Sequence, residues 1–141
     1  MKKLLTVLVI SVVGLTSCSK YSKSYSIGQE LNGGIIIKLN SNGTHGVIAS
    51  KVDQVTMFEY HYYEESLTII DNYGSGWRMP NEDELNTMYS MRSSIGGFQP
   101  WYYWSNKYVN GKRTAIHFSN GTVTEFCGGG SHLCSRAVKD F

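Results

Sequence analysis

The chain has 141 residues, 13% of them aromatic and 15 of them glycine, with a formal net charge of +2. That length provides for one domain with a core of its own, but not for two. Thirteen basic residues stand against eleven acidic ones with no block of like charge, which excludes a basic nucleic-acid footprint and a polyanion-binding tail.

In chain order, Met1-Lys2-Lys3 and the apolar run 4–15 have the charged head and hydrophobic middle of a secretory signal peptide. The run falls short of the about 20 residues a spanning helix needs, and the chain turns polar at Thr16. It ends Leu15-Thr16-Ser17-Cys18, which resembles the bacterial lipobox. The resemblance implies a signal peptide over 1–17 and a diacylglyceryl group on the Cys18 thiol; a plain cleavage site at Ser17-Cys18 is the alternative. Several acyl chains anchor a protein where one binds only marginally. Loss of 17 residues leaves 124, and loss of Lys2 and Lys3 leaves eleven basic residues, as many as the acidic ones, so the mature chain is formally neutral. Residues 18–26 read as a flexible tether, and a single domain is expected over 27–141.

Two strands are expected at 34–39 and 46–50, joined by Asn40-Ser41-Asn42-Gly43, whose Asn-Gly step suits positive φ. The unbroken Ile35-Ile36-Ile37 predicts a strand buried on both faces. Apolar or aromatic residues at 60, 63, 67 and 70 predict a helix over 60–72, ended by Gly74 and Gly76. A second helix has Asn81 as N-cap and Glu84 three residues on, a capping box, and stops before Gly96-Gly97. Strands at 102–109, 113–118 and 122–126 flank the hairpin signals Asn110-Gly111 and Asn120-Gly121, and a short last strand is expected at 135–138. With Cys18 lipidated, Cys127 and Cys134 are an even pair in an exported domain, and a disulfide is expected. A metal site of both thiols and His132 is the alternative, one ligand short of a structural zinc shell.

Gly76-Trp77-Arg78-Met79-Pro80-Asn81-Glu82-Asp83-Glu84-Leu85 resembles the Gly-Trp-Arg-Leu-Pro-Thr-x-x-Glu-Leu signature of the C-terminal domain of the Legionella collagen-like adhesin. Gly33-Gly34-Ile35-Ile36, His45-Gly46-Val47-Ile48, Tyr103-Trp104-Ser105 and Arg136-Ala137-Val138 fall in the same family order, so the likeness covers most of 31–141. That family is similar to C-type-lectin-like domains and formylglycine-generating enzymes. The resemblance implies an α+β, C-type-lectin-like fold of two helices packed on a twisted antiparallel sheet. Within the signature Trp77 is expected to plug the core, Pro80 to fix the start of the second helix, Glu84 to cap it and Leu85 to lie on its buried stripe. Arg78 has two readings, a ligand contact or a salt bridge to Glu84 or Asp83, the second favoured by the way a guanidinium forks onto carboxylates.

Sugar-binding C-type lectins hold calcium through triplets that carry carboxylates. The nearest matches here, Gln99-Pro100-Trp101 and Trp104-Ser105-Asn106, carry none, so no metal and no cofactor is expected. Formylglycine-generating enzymes use a redox-active cysteine pair; nothing flanking Cys127 or Cys134 lowers a thiol pKa. The remaining lead is the aromatic segment 98–104. Trp101, stiffened by Pro100, is the expected exposed ring, with Gln99, Tyr103, Asn106 and Arg78 as further ligand contacts, while Trp104 is expected in the core. The expectation is a non-enzymatic, lipid-anchored envelope protein on a bacterial membrane, the outer one first, facing periplasm or exterior. Its ligand is a glycan or a protein, with no nucleic-acid partner. An oxidoreductase of the formylglycine-generating type and a purely structural envelope component are the alternatives.

Overall fold

A computed structural model describes residues 23–59, 62–127 and 131–141. The lipobox, most of the tether and the start expected for the first helix, Tyr60 and His61, lie outside the described residues. Among the described residues, two antiparallel sheets and three helices make an α+β fold. In chain order these are β1 (Glu30–Leu31), β2 (Gly34–Leu39), β3 (Gly46–Ser50), α1 (Tyr63–Tyr73), β4 (Trp77–Arg78), α2 (Glu82–Ser90), α3 (Arg92–Ile95), β5 (Tyr102–Val109), β6 (Lys112–His117), β7 (Val123–Cys127) and β8 (Val138–Asp140).

The first sheet has the order β1-β2-β3-β8-β4, so the C-terminal strand is wedged between β3 and β4. Ile35, Ile36 and Ile37 on β2 are all buried. The second sheet is the meander β5-β6-β7. Its first turn places Asn110 at φ 51 and Gly111 at φ 78, the paired positive φ of a two-residue hairpin that Asn-Gly satisfies with least strain.

Helix α2 starts where its cap dictates: the Glu84 N–H donates to Asn81 Oδ1 and the Asn81 N–H donates to Glu84 Oε2, each at 2.8 Å. It breaks at Met91, and the single turn of α3 carries the chain to Gly96, at φ 78. The sequence predicts one helix where there are these two.

Alternation along β5 sends adjacent side chains to opposite faces and so builds two cores. Tyr103 joins Ile35, Ile37, Leu85, Met88, Ile116 and Val138, while Trp104 joins Tyr63, Ile70, Met79, Leu133 and Ala137 against α1. The two-residue strands β1 and β4 are not expected from sequence, because so short a segment has no period. The last strand lies at Val138–Asp140 instead of 135–138; Ser135 makes only an isolated bridge to Val55.

Candidate functional site

Beside Tyr103 lies an ion pair that no local pattern announces. Arg136 is fully buried; its Nε donates to Asp53 Oδ1 at 2.6 Å. Tyr103 Oη donates to the other carboxylate oxygen at 2.7 Å. Burial pushes the Asp53 carboxyl above its ordinary value, against the opposing pull of Arg136 and the Tyr103 bond. The same burial, with the Asp53 charge nearby, raises the Tyr103 phenol and pushes the Cys134 thiol up to about 12. Both therefore stay protonated near neutrality, and neither is an activated acid, base or nucleophile.

What the pair does is hold a loop. Arg136 Nη1 and Nη2 donate to the Gly96 and Gly97 carbonyls at 2.7 and 2.6 Å, and the guanidinium lies 3.7 Å from the Phe98 ring centroid. The Gln99 N–H donates to Tyr103 Oη at 2.7 Å. Gly97 sits at φ +70, which strains any L side chain, and a Cβ there would make a tight contact, 3.2 Å from the Lys51 carbonyl and 3.4 Å from Arg136 Nη2. Loop 96–101 is thus fixed from beneath at three successive residues and at Gln99, which lowers the ordering cost of any binding it performs.

Above this support lies a shallow cleft of about 270 Å³ lined by Arg92, Ser93, Phe98, Gln99, Pro100 and Phe118. Trp101, next along the loop, is 38% exposed, and its carbonyl accepts the Phe118 N–H at 2.9 Å. Its ring lies 5.8 Å from Tyr102 and 5.9 Å from His117, which are themselves 4.4 Å apart. The cleft therefore continues into a ribbon of three rings.

The remaining residues singled out by sequence do not converge here. Tyr103, expected as a ligand contact, is fully buried and supports the loop instead, because its place on β5 turns it into the core. Arg78 donates to both Glu84 oxygens at 2.8 Å and to both Asp140 oxygens at 3.0 Å. With four N–H bonds taken, it ties α2 to β8. Asn106 is exposed and lines a different cleft, of about 340 Å³, with Asn81, Glu82, Asp83 and Lys107. Five positions from Trp101 along an extended strand is about 16 Å, too far for one sugar or side chain to touch both. The positive end of α2 faces that cleft and opposes a cation there. Among the described residues no cluster of three or more His, Cys, Asp or Glu side chains is placed to hold a metal.

Trp77 is half-buried, 5.2 Å from Tyr73; it covers the rim of the α1 core instead of plugging it, because β4 is an edge strand. Pro80, Glu84, Leu85 and Trp104 are buried. The expected disulfide is not formed: Cys127 and Cys134 are free thiols. Cys134 bridges Tyr103 on the side of β5 away from β6, whereas Cys127 lies on β7 opposite Lys112. Three strand spacings, about 14 Å sideways alone, separate them, and a disulfide needs Cα atoms within about 7 Å. Sequence reasoning missed Asp53, a single carboxylate in a loop with no motif around it, whose partner is 83 positions away. Arg136 was visible only as part of a family-like triplet.

No protein-family model matches the chain, and no curated protein matches it significantly.

Proposed function

We propose that the chain is a lipid-anchored envelope protein whose domain is a non-enzymatic binding module, presenting loop 96–101 to a glycan or protein ligand. The observation that carries this is the fixing of the loop: a fully buried arginine is devoted to two loop carbonyls and a ring, while Trp101 stays exposed beside a cleft. Burying a charge costs several kcal/mol unless it is paired and bonded, so a rigid aromatic loop is what this arrangement yields. Exposed tryptophan with low residual entropy is the usual anchor of a binding surface. The cleft is at or below the size of enclosed small-molecule pockets, about 300 to 1,000 Å³, which favours docking of a surface or a chain over engulfing a metabolite.

The adhesin-like signature and the sheet-and-helix order support a C-type-lectin-like classification. A formylglycine-generating type of chemistry needs two adjacent thiols, and the separation of Cys127 from Cys134 speaks against it. The lipobox supports anchoring, on the outer membrane in the first place. A glycan array probed with the wild-type chain and with Trp101→Ala tests the binding role: discrete signals lost in the variant are expected, and identical profiles overturn it. Labelling cells with a clickable fatty acid tests the anchor: label is expected on the wild type and not on Cys18→Ala, and a labelled variant removes the lipobox assignment.

A further inference from the structure

Resting on the glycan reading above, we infer that the cleft between α3 and loop 97–100 takes a sugar residue bearing a carboxylate, held by Arg92. Of the four arginines in the chain, Arg78, Arg113 and Arg136 each pair with a carboxylate. Arg92 is in none of the ion pairs among the described residues. It is nonetheless held in place: its guanidinium stacks 4.2 Å from the Tyr89 ring centroid and Nη1 donates to the Tyr89 carbonyl at 2.8 Å. That leaves most of a planar five-donor fork available at the lip of the cleft, a geometry that matches a carboxylate better than a point charge does.

The rest of the lining fits a sugar around that acid. Phe98 and Phe118, with ring centroids 4.5 Å apart, give an apolar floor for a C–H face, and Ser93 and Gln99 give a hydroxyl and an amide for ring hydroxyls. No acidic side chain lines this cleft, whereas Glu82 and Asp83 line the other one. Arg92 is the one charged side chain of this lining, so the charge of the cleft itself favours an anion. A single cation on a formally neutral mature chain suits one carboxylate per binding step, not a densely charged polymer.

The test uses the full-length chain carrying Cys18→Ala, titrated with a galacturonic acid trisaccharide and with the neutral galactose trisaccharide, followed by calorimetry at low salt. The acidic sugar is expected to bind about tenfold more tightly, the scale of one charge-assisted bond. Arg92→Gln is expected to erase that difference, read as the ratio of the acidic to the neutral affinity. Ser93→Glu, an exposed substitution that places a carboxylate at the lip, is expected to abolish or reverse the ratio of acidic to neutral affinity, whatever it does to either affinity alone, so the inference does not hang on how Arg92→Gln folds. Equal affinities for the two sugars, or an undiminished preference in both variants, overturn the inference and leave the glycan reading standing. If neither sugar binds while a peptide with a free C-terminal carboxylate does, the inference and the glycan reading both fall.

Discussion

Arg136 and Asp53 meet at 2.6 Å in the interior although 83 positions separate them in the chain. Their pairing joins the segment after β3 to the segment before β8. Asp53→Ala leaves a guanidinium buried without its counter-charge and is expected to cost about 3 to 5 kcal/mol. Asp53→Asn, which keeps an acceptor, is expected to cost less. Urea unfolding of the three proteins measures this; a loss under about 1 kcal/mol for Asp53→Ala means that water or a neighbour replaces the carboxylate.

The two tryptophans that flank Tyr102-Tyr103 are expected to separate stability from binding. Trp104 is fully buried, so Trp104→Ala should cost about 3 to 5 kcal/mol of stability as a large truncation. Trp101→Ala should leave the melting temperature nearly unchanged and weaken ligand binding by about 1 to 3 kcal/mol. Melting curves beside the glycan titration decide it, and a strongly destabilised Trp101→Ala shows that the exposed ring belongs to the fold.

Acid should weaken the fold through Glu84 and Asp140. Burial alone would raise the Glu84 carboxyl, but the bonds from Arg78 and from the Asn81 N–H hold it below its ordinary 4.5. The Arg78 bond holds Asp140 below its ordinary 3.8. For carboxyls lowered by folding, the stabilisation is present above the unfolded pKa and is lost as pH falls through the folded one. Urea midpoints should therefore drop below about pH 4.5, the ordinary Glu value, and Glu84→Gln, which keeps the cap, should flatten the drop. Parallel pH profiles for both proteins contradict the assignment.

Thiol chemistry should distinguish the two cysteines of the domain. Cys127 is exposed, whereas Cys134 is buried with its thiol pushed up to about 12. Native Cys18→Ala protein treated with iodoacetamide at pH 8 should gain one adduct, on Cys127, and a second only after unfolding. An unreduced digest that contains linked Cys127 and Cys134 peptides restores the disulfide and requires the chain around β7 to be rearranged.

What was legible in the sequence was local. Asn81 and Glu84 announce a cap because both halves of the bond lie within one turn, and Asn110-Gly111 announces a hairpin because the strain it relieves is its own. Ile35-Ile36-Ile37 announces burial on both faces by composition alone. The support of the candidate loop was not legible, since Asp53, Tyr103 and Arg136 come together only after the two sheets have assembled. Closeness in sequence also misled: Cys127 and Cys134 are seven positions apart, yet the chain carries them to opposite sides of the meander.

The place of β8 between β3 and β4 constrains when this protein can acquire its shape. A chain made N-terminus first on a ribosome has β3 and β4 available before the ribbon that joins them. Arg136, which immobilises the loop, arrives in the same last stretch. The first sheet must wait with an open slot, and its unsatisfied edges hydrated, until residues 138–140 are present. The sheet therefore closes only once residues 138–140 are in place, instead of growing strand by strand in chain order.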